Sequence, residues 1–406
     1  MTMKKLFIFF LGILSLTVTL TSCSDEAIDV KSVNKQTVLV MFPWTGSYTS
    51  AGLYSYLQSN LDSIEYAIKA NKGLNNTRVF VFFSRSPKAS ELFELSYNTS
   101  TFAIDHLPVA TYEGHDYATT EGLASIIRTV KEKAEALNYA MIIGGHGLGW
   151  IRASDWLSTS SAAGAKAKAT IEREPKYRQF GSTSTSDFSF DVTTLADAIK
   201  ENGIKMQYIL FDACFMANAE TAYELREATN FLVASSYTIM SDGMPYAKVW
   251  SYLNTATPNY TSLVSTYHSY YNSTAYPYVS LSAIDCRQME KLAAVMKEIN
   301  QQYTITDERL AGVQYFSALT PPLFYDLGNY VDSLHVSTSL KSKFNTQMSA
   351  TVKTVAYTEQ VMDDDNSGYT VLIPVFANSG LTISDPSKHS AVLKGKESTS
   401  WWKATH

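Results

Sequence analysis

Short apolar runs rich in β-branched and aromatic residues alternate along this chain with longer stretches whose apolar residues recur at helical spacing, and this alternation restricts the fold. Residues 37–42, 78–84, 139–144 and 206–212 are runs of the first kind. Residues 48–70 carry Leu53, Leu57, Leu61, Ile64 and Ile68 three or four apart, the period of a helix with one buried face. Strands that read as continuous apolar runs are those buried on both sides, as in a parallel sheet covered by helices. The expected fold class is therefore α/β with a mostly parallel central sheet.

Further helices are expected over 121–137 and 194–201 and from Cys214 through residue 228, with a short strand at 231–234. Residues 91–104 read as irregular hairpin material. Ser, Thr, Ala and Gly accumulate across 152–190 with scattered basic residues, the composition of a long mobile loop. Beyond residue 256 come a helix (261–271), a strand (278–284), a helix (287–302) and a strand (369–375). This divides the chain into a main domain, 37–255, and a C-terminal subdomain, 256–406.

Residues 1–22 stand apart from the fold. Lys4-Lys5 precede the apolar run 6–20 and small residues, the pattern of a signal peptide. Its end, Leu20-Thr21-Ser22-Cys23, resembles the lipobox of bacterial lipoproteins, in which the Cys is acylated. Cys23 is thus the expected lipidation site, with 23–36 a lipidated linker and the membrane a partner through that lipid. The acidic Ser24-Asp25-Glu26 resembles export tags of Gram-negative lipoproteins, which points to the cell envelope and the outer membrane.

Net charge is −5, and no long basic run lies outside the N-terminus, so nucleic acid is not an expected partner. Of three cysteines, Cys23 is accounted for. Cys214 ends an expected strand while Cys286 opens a helix elsewhere, which disfavours a disulfide between them.

His146 and Cys214 each follow an apolar strand. Ligands of open α/β sheets bind at the carboxyl ends of strands, and neighbouring strands lie about 4.8 Å apart, so the two side chains can face one another across one rim. A thiol beside an imidazole is a nucleophile with its base. Cys214 precedes an expected helix, whose free N–H groups and dipole would activate the thiol. Gly147, with no side chain, leaves its N–H open to a carbonyl and could form an oxyanion hole with the Cys214 N–H.

Two segments carry a family resemblance: Ile142-Ile143-Gly144-Gly145-His146-Gly147-Leu148-Gly149-Trp150 and Ile209-Leu210-Phe211-Asp212-Ala213-Cys214-Phe215-Met216-Ala217. With Glu220-Thr221-Ala222-Tyr223-Glu224-Leu225, Asp242-Gly243-Met244-Pro245-Tyr246 and Tyr325-Asp326-Leu327-Gly328-Asn329-Tyr330, they resemble the clostripain family, in the caspase, legumain and gingipain group of cysteine peptidases. The resemblance runs from about Thr37 onward. It implies a caspase-like three-layer sandwich, a catalytic dyad of His146 and Cys214, and an oxyanion hole from Gly147 and Cys214. It also implies Asp212 at the base of an S1 pocket that takes Arg or Lys, and Asp242 is a candidate second carboxylate there. A carboxylate in a narrow pocket pairs with a cation and leaves neutral side chains uncompensated.

The chain departs from the family pattern at Ala234-Ser235-Ser236-Tyr237, at Met244 and after Trp44, all on the expected pocket rim. The resemblance also implies a chain often made inactive and cut in the loop after the His strand, so self-cleavage near Lys166 or Lys168 is an expected activation step, with a solvated loop that is never cut as the alternative. Asp363-Asp364-Asp365-Asn366-Ser367-Gly368 begins like a calcium loop, but Pro374 stands where a bidentate Glu would close the shell. A polar hairpin turn is the favoured reading, and no cofactor is required, with calcium the alternative. Protein or peptide substrates are the expected partners, and the chain is expected to act as a monomer. An inactive peptide-binding lipoprotein and a peptidase with non-basic P1 preference stay open. No HExxH helix, Gly-x-Ser-x-Gly elbow or phosphate loop is present.

Overall fold

The computed structural model describes residues 34–45, 53–152, 154–156, 189–364 and 370–406. The expectations placed on Cys23, on Lys166 and Lys168, and on residues 365–368 lie outside them.

The central sheet is built from β1 (Gln36–Phe42), β2 (Thr77–Ser86), β3 (Ala89–Asn98), β4 (Ala103–Tyr112), β5 (Asn138–Gly144), β6 (Met206–Asp212), β7 (Thr229–Ala234), β8 (Ser280–Asp285) and, after the two-residue β9 (Tyr325–Asp326), β10 (Val352–Tyr357). Their order is β10-β8-β7-β6-β5-β1-β2-β3-β4. From β2 through β7 all neighbours are parallel, and the flanking strands are antiparallel. The chain winds one way from β1 to β2 and the other from β1 to β5, so the sheet reverses direction beside β5.

Successive residues of the inner strands feed opposite faces, as the pleat demands. Val38, Val40, Ile142, Tyr208 and Leu210 pack with α1 (Tyr54–Ala70) and with the later helices Tyr246–Leu253 and Tyr260–Asn272. Leu39, Met41, Met141, Ile143, Ile209 and Phe211 pack with α2 (Thr120–Lys133), α3 (Val192–Glu201) and the helix Met289–Asn300. The result is the expected three-layer α/β sandwich.

Residues 91–104 are regular structure. They form most of β3 and the turn into β4, extending the sheet edge by antiparallel pairing. Glu91 and Glu94 pair with Arg85 and Arg78 on this half-exposed edge, and those charges interrupt the apolar run that marks the inner strands. Beyond residue 256, β8 and β10 continue the same sheet, and residues 34–406 form one compact unit. β11 (Gln360–Asp364) and β12 (Thr370–Pro374) pair antiparallel. A last short strand, β13 (Thr382–Ile383), pairs with β9.

Candidate active site

β5 and β6 are parallel neighbours, with Gly144 opposite Asp212, so the loops that follow them leave the sheet at the same point. Gly145 N–H donates to the Asp212 carbonyl at 3.3 Å, which carries the pairing one residue past the end of β5. His146 comes next on one loop, and Cys214 lies two residues past β6 on the other.

Gly147 is where the two loops touch. A β-carbon there would lie 2.4 Å from the Cys214 carbonyl oxygen, 2.9 Å from its nitrogen and 3.0 Å from the Ala213 β-carbon. Only glycine admits this approach of the two backbones. The structure thus brings together His146, Gly147 and Cys214. The Cys214 and His146 side chains are buried, at 0% and 8% exposure.

The backbone after Cys214 does not enter a helix directly. Phe215 has a φ of 58°, and α4 (Ala219–Glu224) begins only after Asn218, which caps it by accepting from Thr221 N–H at 2.7 Å. The helix N-terminus expected at the thiol therefore stands further along the chain. The intervening turn is held instead by β7 and its extension: Phe215 N–H donates to the Tyr237 carbonyl at 3.1 Å and Ala217 N–H to that of Ser235 at 2.9 Å. From the same extension, Ile239 N–H donates to Cys214 Sγ at 3.3 Å. A donor aimed at the sulfur suits a site where negative charge develops on that atom. Nothing in the composition of 235–239 signals this role, since a backbone N–H acts whatever the side chain.

Asp212 is fully buried. Its Oδ2 accepts from Met244 N–H and from the Tyr246 hydroxyl, each at 3.1 Å. The carboxylate thus anchors the Asp-Gly-Met-Pro-Tyr segment to the end of β6. Asp242 is exposed in a turn closed by Gly243 (φ 68°), and its carbonyl accepts from Asn60 Nδ2 at 2.8 Å.

Cys286 and Cys214 are both buried, and no disulfide joins them. They belong to the cores on opposite faces of the sheet. Burial pushes the Cys286 thiol up to about 12, with the Asp285 charge adding to the effect, so it is an inert packing group. Among the described residues, no cluster of three or more His, Cys, Asp or Glu is arranged to hold a metal ion, and no helix is long and apolar enough to cross a membrane.

Two parallel strands whose adjoining loops carry a His-Gly and a Cys in backbone contact can be compared with known proteins. A sequence model of the clostripain family of C11 peptidases matches residues 47–373. The chain belongs to the clostripain family. Clostripain-family proteins appear among its structural relatives: a secreted C11 cysteine protease from Bacteroides thetaiotaomicron, "iotapain", is 32% identical with a TM-score of 0.81, over 92% of this chain and 99% of that one. An inactive zymogen C11 protease from Parabacteroides distasonis shares the fold at 24% identity and a TM-score of 0.75, over 91% and 98%. A clostripain from Bacteroides thetaiotaomicron in complex with the peptide inhibitor BTN-VLTK-AOMK is 36% identical over 55% of this chain and 97% of that one, with a TM-score of 0.52. A comparison with curated proteins finds no match.

Proposed function

We propose that this member of the clostripain family is a cysteine endopeptidase working through His146 and Cys214. The observation that carries this reading is the backbone contact of Gly147 with Cys214, which puts an imidazole-bearing loop against a thiol-bearing one. In the first step His146 takes the Cys214 thiol proton as sulfur attacks the scissile carbonyl carbon. The Gly147 and Cys214 N–H groups face the developing oxyanion, and the imidazolium then protonates the leaving amine. Water attacks the thioester with His146 again as base, which releases the acid product and restores the thiol.

Asp212 sets a preference for Arg or Lys before the cleaved bond. Met244 and Tyr246 hold its Oδ2 at the end of β6, two residues before the nucleophile, so its charge is fixed in position beside the site. The Lys-ending peptide of the inhibitor bound by the related clostripain agrees with this reading. Burial of Cys214 and His146 fits a chain held inactive until it is cut, and Lys166 and Lys168 are the proposed cut sites, matching the enzyme's own specificity. The lipobox-like sequence at Cys23 supports a reading of the enzyme as a cell-envelope protein anchored to the outer membrane by its lipid.

The test is a panel of fluorogenic peptides with Arg, Lys, Asp, Asn or Leu at P1, assayed before and after limited proteolysis of the mature chain. Turnover restricted to Arg and Lys, rising after proteolysis, is the expected result. Turnover of Asp or Asn peptides alone would remove Asp212 from the specificity pocket, and none on any peptide would leave a peptide-binding module.

A further inference from the structure

Past His146, the loop after β5 runs through Gly147, Leu148 and Gly149 to Trp150. Its first end is fixed by the bond from Gly145 N–H to Asp212. Its far end is fixed by a side chain: the Trp150 indole Nε1–H donates to Ser384 Oγ at 3.0 Å. Ser384 Oγ in turn donates to Glu220 Oε1 at 2.5 Å, and the Ser384 N–H donates to the same oxygen at 2.8 Å. All three residues are buried, at 7% exposure for Trp150, 0% for Ser384 and 2% for Glu220.

The polarity of this chain is fixed by chemistry. The indole can only donate, a carboxylate oxygen can only accept, and the serine hydroxyl between them must do both. Glu220 sits in α4, on the segment that follows Cys214, and Ser384 is docked to that segment a second time, because Thr382 N–H donates to the Ala217 carbonyl at 3.0 Å. Gly149 closes the same gap: with a φ of 64°, a β-carbon there would meet Asn218 Nδ2 at 2.6 Å. The Trp150 ring is also packed tightly from outside, since a β-carbon on Gly395 would lie 3.0 Å from its Cζ3.

We propose that Glu220 and Ser384 are positioning residues for catalysis, which hold Trp150 and thereby clamp the His146 loop against the Cys214 loop. This rests on the reading of His146 and Cys214 as the dyad. Tethered at Gly145 and Trp150, the loop presents the imidazole in one place, and loosening the Trp150 tether lets it drift from the thiol. Catalysis is sensitive to such drift, because reacting atoms must be held close to their attack distance.

The experiment compares Ser384→Ala, Trp150→Phe and the double variant in the full chain. Each single change removes one hydrogen-bonding group and keeps the rest of the shape. Either single variant is expected to lower kcat about fivefold with KM within about twofold, and the double variant to fall no further, because both break one chain. Glu220→Gln, whose amide oxygen still accepts from Ser384, is expected to stay within about twofold of wild type, whereas Glu220→Ala matches Ser384→Ala.

A second readout needs no peptide substrate. The rate of Cys214 alkylation by a neutral haloacetamide is measured against pH by mass analysis of the Cys214 peptide. A displaced imidazole shifts the midpoint of that profile in Ser384→Ala and Trp150→Phe alike, which a change in global stability alone does not do. Multiplicative losses in the double variant, or unshifted alkylation profiles, would overturn the clamp. A wild type that alkylates with a defined pH midpoint yet cleaves no peptide would instead overturn the peptidase reading and leave the clamp to be judged on the alkylation profiles.

Discussion

A β-carbon on Gly147 would lie 2.4 Å from the carbonyl oxygen of Cys214, so the residue after His146 and the proposed nucleophile meet through their backbones. That contact sets the spacing of the two loops, and any side chain at 147 must push them apart.

Gly147→Ala is therefore expected to fold and to lose activity. The added methyl group conflicts with backbone on β6's loop, which cannot swing away as a flexible side chain could. A fall in kcat/KM of about 100-fold or more is expected, the size associated with losing one oxyanion donor, with a melting temperature within a few degrees of wild type. Steady-state kinetics beside thermal unfolding checks it, and near-normal turnover would show that the two loops have room to spare.

Tyr246→Phe separates the two parts of the Asp212 reading. It removes a hydroxyl that donates to a fully buried carboxylate, so stability should fall by about 1.5–3 kcal/mol in urea unfolding. Activity on Arg and Lys peptides should fall with it, because the segment from Met244 to Tyr246 is held to the strand end by the same carboxylate. Asp212→Asn should lower kcat/KM on basic peptides at least 100-fold relative to neutral ones. Equal losses on both classes would confine Asp212 to anchoring the segment.

Glu220 gives the fold a pH dependence. Burial pushes its carboxyl up to about 6, only partly offset by the bonds from Ser384 and the charge of Lys396. Folded chain therefore holds this proton more tightly than unfolded chain, whose Glu titrates near 4.3. The associated stability is complete below about pH 4.3 and is lost as pH rises through about 6. Burial and the Glu220 charge also raise the Asp385 carboxyl, which acts with the same sign. Between pH 4 and 7 wild type should lose about 2 kcal/mol more than Glu220→Gln, measured by denaturant unfolding at each pH. Parallel curves for the two proteins would contradict the raised carboxyl.

The inner strands were legible because burial on both faces leaves a continuous apolar run, and β1, β2, β5 and β6 all fall where such runs lie. β3 and β4 were not, since Glu91 and Glu94, in ion pairs with Arg85 and Arg78, interrupt the apolar run of β3, and β4, the edge strand, is largely exposed. His146, Gly147 and Cys214 were readable as strand-end residues, and the structure places them together. The turn at Phe215 was not, because a φ of 58° at a phenylalanine has no compositional signal and is held by the bonds that Phe215 N–H and Ala217 N–H donate to the Tyr237 and Ser235 carbonyls. Ser384 was equally hidden: it lies 234 residues from Trp150 along the chain, and only the fold joins them.

The most direct test of the account is the hydrolysis of an Arg or Lys fluorogenic peptide by the mature, proteolytically treated chain, measured beside Cys214→Ala and His146→Ala. The account predicts turnover by wild type and a loss of about 1,000-fold or more in each variant, the size expected when one member of a catalytic pair is removed. Turnover that persists in Cys214→Ala, or wild-type rates no higher than those of the two variants, would contradict it.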